Sequence, residues 1–259
     1  VSPLIDGRPG RPCNLKRDAN MMTCDPVTGT CLLPEPESAQ SVAQSGAHAA
    51  PIVHYIGDPM CSWCWGIEPV VGELAAFCAA EGIGFALTVG GLRAGGGDPW
   101  NADFIEFLRA EWRRIGEVTG QPFGFTLLDA PYFDYDTEPA CRAVVCAQIL
   151  GADSADPSAR RFFSAVQRRF YVEGRDPKET SFYADLCEEA GLDFGAFRSL
   201  FLSAEARQAT QAAFLRCRQW GVRAFPTLAV ERRGELLLLA AGFTTREQVL
   251  SRLRRGLAG

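Results

Sequence analysis

Two cysteines three positions apart, Cys61 and Cys64 in the stretch DPMCSWCWGIEP, are the residues of this chain best placed to do chemistry. They follow a short apolar run and precede a segment of helical period. A thiol at the start of a helix meets unpaired amide N–H groups and the positive end of the macrodipole, and both stabilise a thiolate. The first thiol of a CxxC pair in such a place ionises between about 3.5 and 7.5, against about 8.5 for a free cysteine. Cys61 is therefore expected to attack a disulfide and form a mixed disulfide. Cys64, one turn on, would then release the captured group by attacking the Cys61 sulfur. The reverse sequence delivers a disulfide.

Two other uses of the pair compete with this one. A structural zinc site needs four ligands, and the chain has no second CxxC and no HxxxH; Cys24 and Cys31 enclose six residues, too many for a zinc knuckle. Alternatively, Trp63 and Trp65 could simply pack two inert thiols. The redox reading leads, with no metal and no cofactor expected.

The elements around the pair support it. IVHYIG (52–57) reads as a strand, and after Cys61 come Ile67, Val70, Val71, Leu74 and Cys78 at helical spacing. Gly82 stops that helix, Pro69 should kink it, and GFALTV (84–89) reads as a second, parallel strand, completing a right-handed βαβ unit. GGLRAGGG lacks both the Lys-Ser/Thr ending of a P-loop and the GxGxxG spacing of a dinucleotide site. Residues 98–220 read as successive helices, the first opened by Asp98 and Pro99, others near 157–173, 179–190 and 203–220. TLAV (227–230) and ELLLLA (235–240) form a hairpin-like pair, followed by a helix with a capping box at Thr244 and Glu247. Pro226, just before a strand, suits only an edge or turn. The fold class expected is α/β, a mixed sheet of βαβ plus ββα with an inserted all-helical domain. The domain limits expected are a mixed-sheet unit over 51–97 and 221–259, the helical insertion over 98–220, and a poorly structured tail over 1–50.

Composition sets the outer limits. With 259 residues, 47% of them hydrophobic, the chain can bury a full core without staples. A net charge of −5 offers no basic field for nucleic acid or an anionic membrane. No run approaches the roughly 18 apolar residues of a membrane span, and no basic start plus apolar stretch marks a secretory signal, so a cytoplasmic protein is expected. A periplasmic mature form that has lost its signal would read the same way, and Met21 or Met22 offers an internal start.

The remaining cysteines divide into two groups. Cys78, Cys146, Cys187 and Cys217 lie in apolar helical stretches and read as small buried hydrophobes. So do Cys141 and Cys146 as a pair, because five helical residues rotate them about 140° apart, too far for an intrahelical bridge. Cys13 lies in the tail with Cys24 and Cys31. The last two bracket the turn-prone DPVTGT and are candidate accessory thiols, on a tail long and flexible enough to reach Cys61 and relay electrons in cis.

The strand followed by CSWCWG, the later GVRAFPTL, and the helical block between βαβ and ββα together resemble the DsbA family of thioredoxin-fold proteins, in particular its predicted disulfide isomerases near the FrnE branch. The resemblance covers about residues 51–257. It implies that Cys61 is the nucleophile, Cys64 the resolving thiol and Pro226 a cis-proline facing them. Phe225 would then present backbone groups to an extended peptide by β-augmentation, with Trp63 and Trp65 lining the same site. Substrates would be protein or peptide thiols and disulfides, with glutathione or a thioredoxin-type protein as reductant. Ser62-Trp63 stands where strong DsbA oxidants carry Pro-His, so a less acidic thiol and a less oxidising potential are implied. Two rival classes share the layout: DsbA-like adaptors that deliver partners to a protease, and kappa-class glutathione transferases and isomerases. The latter ordinarily carry serine where Cys61 stands.

Overall fold

The computed structural model describes residues 23–25, 27–32, 50–151 and 158–258. Cys13, Met21 and Met22 lie outside them. The first element is one the sequence reading missed. Thr23–Asp25 (β1) and Thr30–Leu32 (β2) pair antiparallel, so part of the region read as a poorly structured tail is a hairpin. Its turn is held by Asp25, whose Oδ1 accepts from Val27 N at 2.8 Å and whose carbonyl accepts from Gly29 N at 3.0 Å. Three-residue strands carry no usable period, and a lone hairpin is marginal in water, so this one depends on what it docks against.

The main sheet has strand order β4-β3-β6-β7, formed by Ile52–Gly57 (β3), Gly84–Val89 (β4), Thr227–Arg232 (β6) and Glu235–Ala241 (β7). β3 runs parallel to β4 and antiparallel to β6, and β6 runs antiparallel to β7. β3 is central and almost entirely buried, which is why, apart from His54, its sequence is apolar or aromatic on both faces and does not alternate. The two-residue strand Ala224–Phe225 (β5) belongs to the other sheet, where it pairs with β2.

After β3 the chain forms α1 (Ser62–Gly66) and α2 (Glu68–Ala80). They are separate helices that share Ile67 as a cap. Pro69 therefore sits in the first turn of α2, where its missing N–H costs nothing, and it does not kink a helix interior. The helical block comprises α3 (Ala102–Thr119), α4 (Glu138–Leu150), α5 (Ser158–Tyr171), α6 (Ala184–Glu189), α7 (Phe194–Phe201) and α8 (Ala204–Gln219). The α3 cap is Asn101, whose side chain accepts from Phe104 N at 2.9 Å; Asp98, expected to open that helix, is instead buried in an ion pair with Arg93. In α9 (Arg246–Ala258) the capping box is Thr245 with Gln248, one position beyond the expected pair; each side chain bonds the other's backbone N–H at 3.4 Å. α2 and α9 pack together against β4, β6 and β7, while α4 and α8 pack together against β4. The result is the thioredoxin-like mixed sheet with a helical insertion that the motif order implies.

Candidate active site

Cys61 is the N-cap of α1, in extended backbone conformation, and its carbonyl accepts from Trp65 N at 3.1 Å. The preceding turn is held by Asp58, whose carbonyl accepts from Cys61 N at 3.0 Å and whose Oδ1 accepts from Met60 N at 2.8 Å. The other carboxylate oxygen accepts from Leu92 N at 2.7 Å and from the Cys141 thiol at 3.3 Å. One buried carboxylate thus ties the CxxC turn to the loop after β4 and to α4. Burial raises its pKa from 3.8 to about 6. The sequence reading passed over Asp58; the available signal was an acid between an apolar strand and a dithiol, where a charge needs partners.

Cys64 lies one helical turn from Cys61, and its thiol is among the neighbours that act on the Cys61 thiol. Behind Cys64, Gly57 leaves the room that the sulfur and the Tyr55 hydroxyl occupy; a Cβ there would lie 3.2 Å from Cys64 Sγ and 2.8 Å from Tyr55 Oη. Opposite stands Phe225, joined to Pro226 by a cis peptide bond, and the Cys61 thiol donates to the Phe225 carbonyl at 3.8 Å. Both residues are buried.

Trp63 and Trp65 do not line an open surface. Trp65 Nε1 donates to Pro122 O at 2.9 Å, and the Trp63 ring packs 5.9 Å from that of Phe243, with the Arg114 guanidinium 6.0 Å over its face. Gly29 of the hairpin closes the remaining side, its Cα near Trp63 and Phe243.

The fourth wall of the site is the hairpin. β2 pairs antiparallel with β5, Cys31 opposite Phe225 and Leu32 opposite Ala224. Phe243 N donates to Gly29 O at 3.1 Å from the other side. Cys31 is fully buried against Cys61, and Cys24, directly across the hairpin, has its sulfur 2.9 Å from that of Cys31. Two pairs of cysteines, one from the hairpin and one from the start of α1, thus form one thiol cluster. All nine cysteines of the described residues are buried free thiols, and none of their neighbourhoods there gathers three or more ligands in a metal-binding arrangement.

The electrostatics correct the sequence reading. Burial, then the bonds to Cys31 and Cys64, hold the Cys61 thiol well above its ordinary value. The low pKa falls on Cys31, whose sulfur is approached by the Cys24 and Cys61 thiols and by the Trp63 N–H and Ser62 hydroxyl at the start of α1. Those α1 donors are the ones expected to ionise Cys61. With the hairpin seated, the neighbouring sulfur takes them, and the closely packed thiols cannot all carry charge. The other cysteines follow expectation: burial pushes Cys146, Cys187 and Cys217 to about 12 and Cys78 to about 11.

Comparisons with known proteins place this geometry in context. No family model and no curated protein matches the chain. Among solved structures, a candidate protein disulfide isomerase from Nitrosomonas europaea is 33% identical, with a TM-score of 0.73 over 81% of this chain and 98% of that one. The cytosolic disulfide reductase DsbM from Pseudomonas aeruginosa is 28% identical, with a TM-score of 0.65 over 80% of this chain and 98% of its own; it is also known with GSH, where the match has a TM-score of 0.63 at 29% identity over 80% of this chain and the whole of that one. A 2-hydroxychromene-2-carboxylate isomerase matches at 18% identity and a TM-score of 0.52 over 80% of this chain and 98% of its own, which shows a shared fold. No described helix is long and apolar enough to cross a membrane.

Proposed function

Because the chain belongs to the DsbA-like thioredoxin-fold family, we propose that it is a thiol–disulfide oxidoreductase in which Cys61 is the nucleophile and Cys64 the resolving thiol. The observation that carries this reading is the placement of the two thiols at the start of α1, opposite the Phe225 carbonyl and the cis Pro226. When a substrate strand replaces β2 on β5, the Trp63 N–H and Ser62 hydroxyl are free to stabilise a Cys61 thiolate. That thiolate attacks one sulfur of the substrate disulfide and expels the other as a thiolate. Cys64 then attacks the Cys61 sulfur and expels the second substrate thiol. Two electrons pass to the substrate, and the Cys61–Cys64 disulfide remains to be reduced by glutathione or a thioredoxin-type protein.

The reductive direction is favoured by the similarity to DsbM and by Ser62-Trp63 between the cysteines, which supplies no histidine to stabilise a thiolate. Isomerisation of protein or peptide disulfides uses the same mixed disulfide, with a substrate thiol in place of Cys64. A cytoplasmic setting, as read from the sequence, suits this direction. The kappa-class alternative is disfavoured by cysteine at position 61, and the adaptor alternative predicts function without turnover.

The test is Cys61→Ser in a glutathione-coupled disulfide reduction assay with a model peptide disulfide. Turnover should drop to the uncatalysed background, and a redox titration of the parent chain should show a two-electron Cys61–Cys64 couple. Retained turnover, or a couple that never forms, refutes the assignment.

A further inference from the structure

The N-terminal hairpin stands where the proposed reaction puts its substrate. β2 pairs antiparallel with Phe225, the residue whose backbone an extended peptide would engage, and it brings a cysteine to Cys61. Cys31 stands between two thiols, its sulfur 2.9 Å from that of Cys24 across its own hairpin, and it lies opposite Phe225, the residue whose carbonyl accepts from Cys61. The hairpin is not a loose cover. Phe225 lies opposite Cys31 in the register, Phe243 N bonds Gly29 O at 3.1 Å, and Gly29 fits against Trp63 and Phe243.

We propose that Cys24 and Cys31 form a second redox couple, an intramolecular disulfide substrate that exchanges directly with Cys61 and Cys64. This rests on the oxidoreductase reading and extends it to a defined partner within the same chain. Starting from a Cys24–Cys31 disulfide and reduced Cys61 and Cys64, the Cys61 thiolate attacks Cys31 Sγ. The Cys31–Cys61 bond forms, the Cys24–Cys31 bond breaks, and Cys24 leaves as a thiolate that takes up a proton. Cys64, on losing its proton, attacks Cys61 Sγ, and Cys31 leaves as the thiolate that the α1 donors stabilise. The products are a Cys61–Cys64 disulfide and a Cys24, Cys31 dithiol. Two electrons move between the pairs, no external redox agent is consumed, and the steps run in either direction. Cys31 is the sulfur attacked because it is the one that neighbours Cys61, and Cys24 is the leaving thiol.

The experiment traps the intermediate. In full-length Cys64→Ser the mixed disulfide cannot be resolved, so oxidation with oxidised glutathione, acid quenching and alkylation should leave Cys31 joined to Cys61 in most molecules. A protease that cleaves after Glu37 and Glu73 separates the two thiol pairs, so the linked peptides are identified by tandem mass spectrometry without reduction. The species should run as a monomer, survive tenfold dilution during oxidation, and vanish in Cys31→Ser/Cys64→Ser. Cys64→Ala repeats the test with a different side chain. The proposal is overturned if Cys24–Cys31 is the bond recovered while Cys61 stays free or carries glutathione, if the link joins two chains, or if stoichiometric zinc holds the thiols out of exchange. The parent chain separates the two readings: if it forms Cys61–Cys64 under the same conditions while the variants give no Cys31–Cys61 link, the exchange fails and the oxidoreductase assignment stands. If Cys61–Cys64 never forms, the assignment itself fails.

Discussion

Gly242→Ala should unseat the hairpin while leaving the rest of the fold in place. Gly242 lies at the seam. Its N–H donates to Pro226 O at 2.7 Å, and an added Cβ would lie 2.2 Å from Thr28 O and 2.6 Å from Thr30 Cγ2. Ordinary C···O contact is about 3.3 Å, so the turn would have to retreat by about 1 Å. The substitution has two separable costs. The φ of +94° at Gly242 imposes roughly 1–2 kcal/mol on a residue with a Cβ, whether or not the hairpin is seated. The overlap costs about 1–3 kcal/mol and acts only on the seated form. At tenfold per 1.4 kcal/mol, the lifted population rises by about 5- to 150-fold. If Cys61 is alkylated only when the hairpin lifts, and the hairpin reseats faster than the reagent reacts, its rate rises by the same factor. The assay is iodoacetamide labelling of the reduced protein, with Cys61 and Cys146 quantified together. Cys146, buried in α4, reports wider opening and should stay slow. A Cys61 rate within twofold of the parent, or an equal rise at Cys146, would refute the idea that the hairpin alone gates the nucleophile.

Three further outcomes follow from the same coordinates. Gly90→Ala would place a Cβ 1.9 Å from Phe225 Cζ, so the ring must retreat by about 1.6 Å to ordinary carbon contact; a loss of about 1–3 kcal/mol in urea unfolding is expected, together with faster Cys61 alkylation. Asp58 binds its proton more tightly folded than unfolded, so its contribution to stability is greatest at low pH and falls as pH rises from about 4 through about 6, by about 3 kcal/mol. Asp58→Asn should lose this slope, whatever its constant cost, and parallel unfolding series at pH 4.5 and 7 that keep the same difference between parent and variant would contradict it. Asn101→Ala removes the α3 cap and should cost about 1 kcal/mol, read as a fall in Tm of about 2–4 °C.

Much of the scaffold was legible because burial had written it into apolar runs. The strands 52–57 and 84–89 coincide with their sequence readings, since both are rich in β-branched, aromatic and aliphatic residues and bounded by Gly or Pro. Helix starts were less legible wherever several capping residues compete. Asp98 resembles a cap but is held by Arg93, and Asn101 does the capping; Thr244 and Thr245 are adjacent, and local geometry selects the second. The eight-residue α7 went unseen between its neighbours, too short to establish a period. At the site, the spacing of Cys61 and Cys64 and the Phe-Pro-Thr stretch singled out residues that the structure brings together. The seating of Cys31 there was raised only as a relay within reach, because its strand partner, Phe225, lies far along the chain and such a register leaves no local pattern. The reversal in acidity follows from that seating: a rule for a helix-capping thiol assumes that no second sulfur claims the same donors.

The pairing of β2 with β5 leaves Phe225 no free main-chain edge while the hairpin is seated. A visiting polypeptide therefore meets an incumbent, tethered at high local concentration and already matched in hydrogen bonding. Its apparent dissociation constant is its intrinsic one divided by the fraction of molecules whose edge is vacant. Among polypeptide clients, admission would go to those that bring a strand long enough to win the contest.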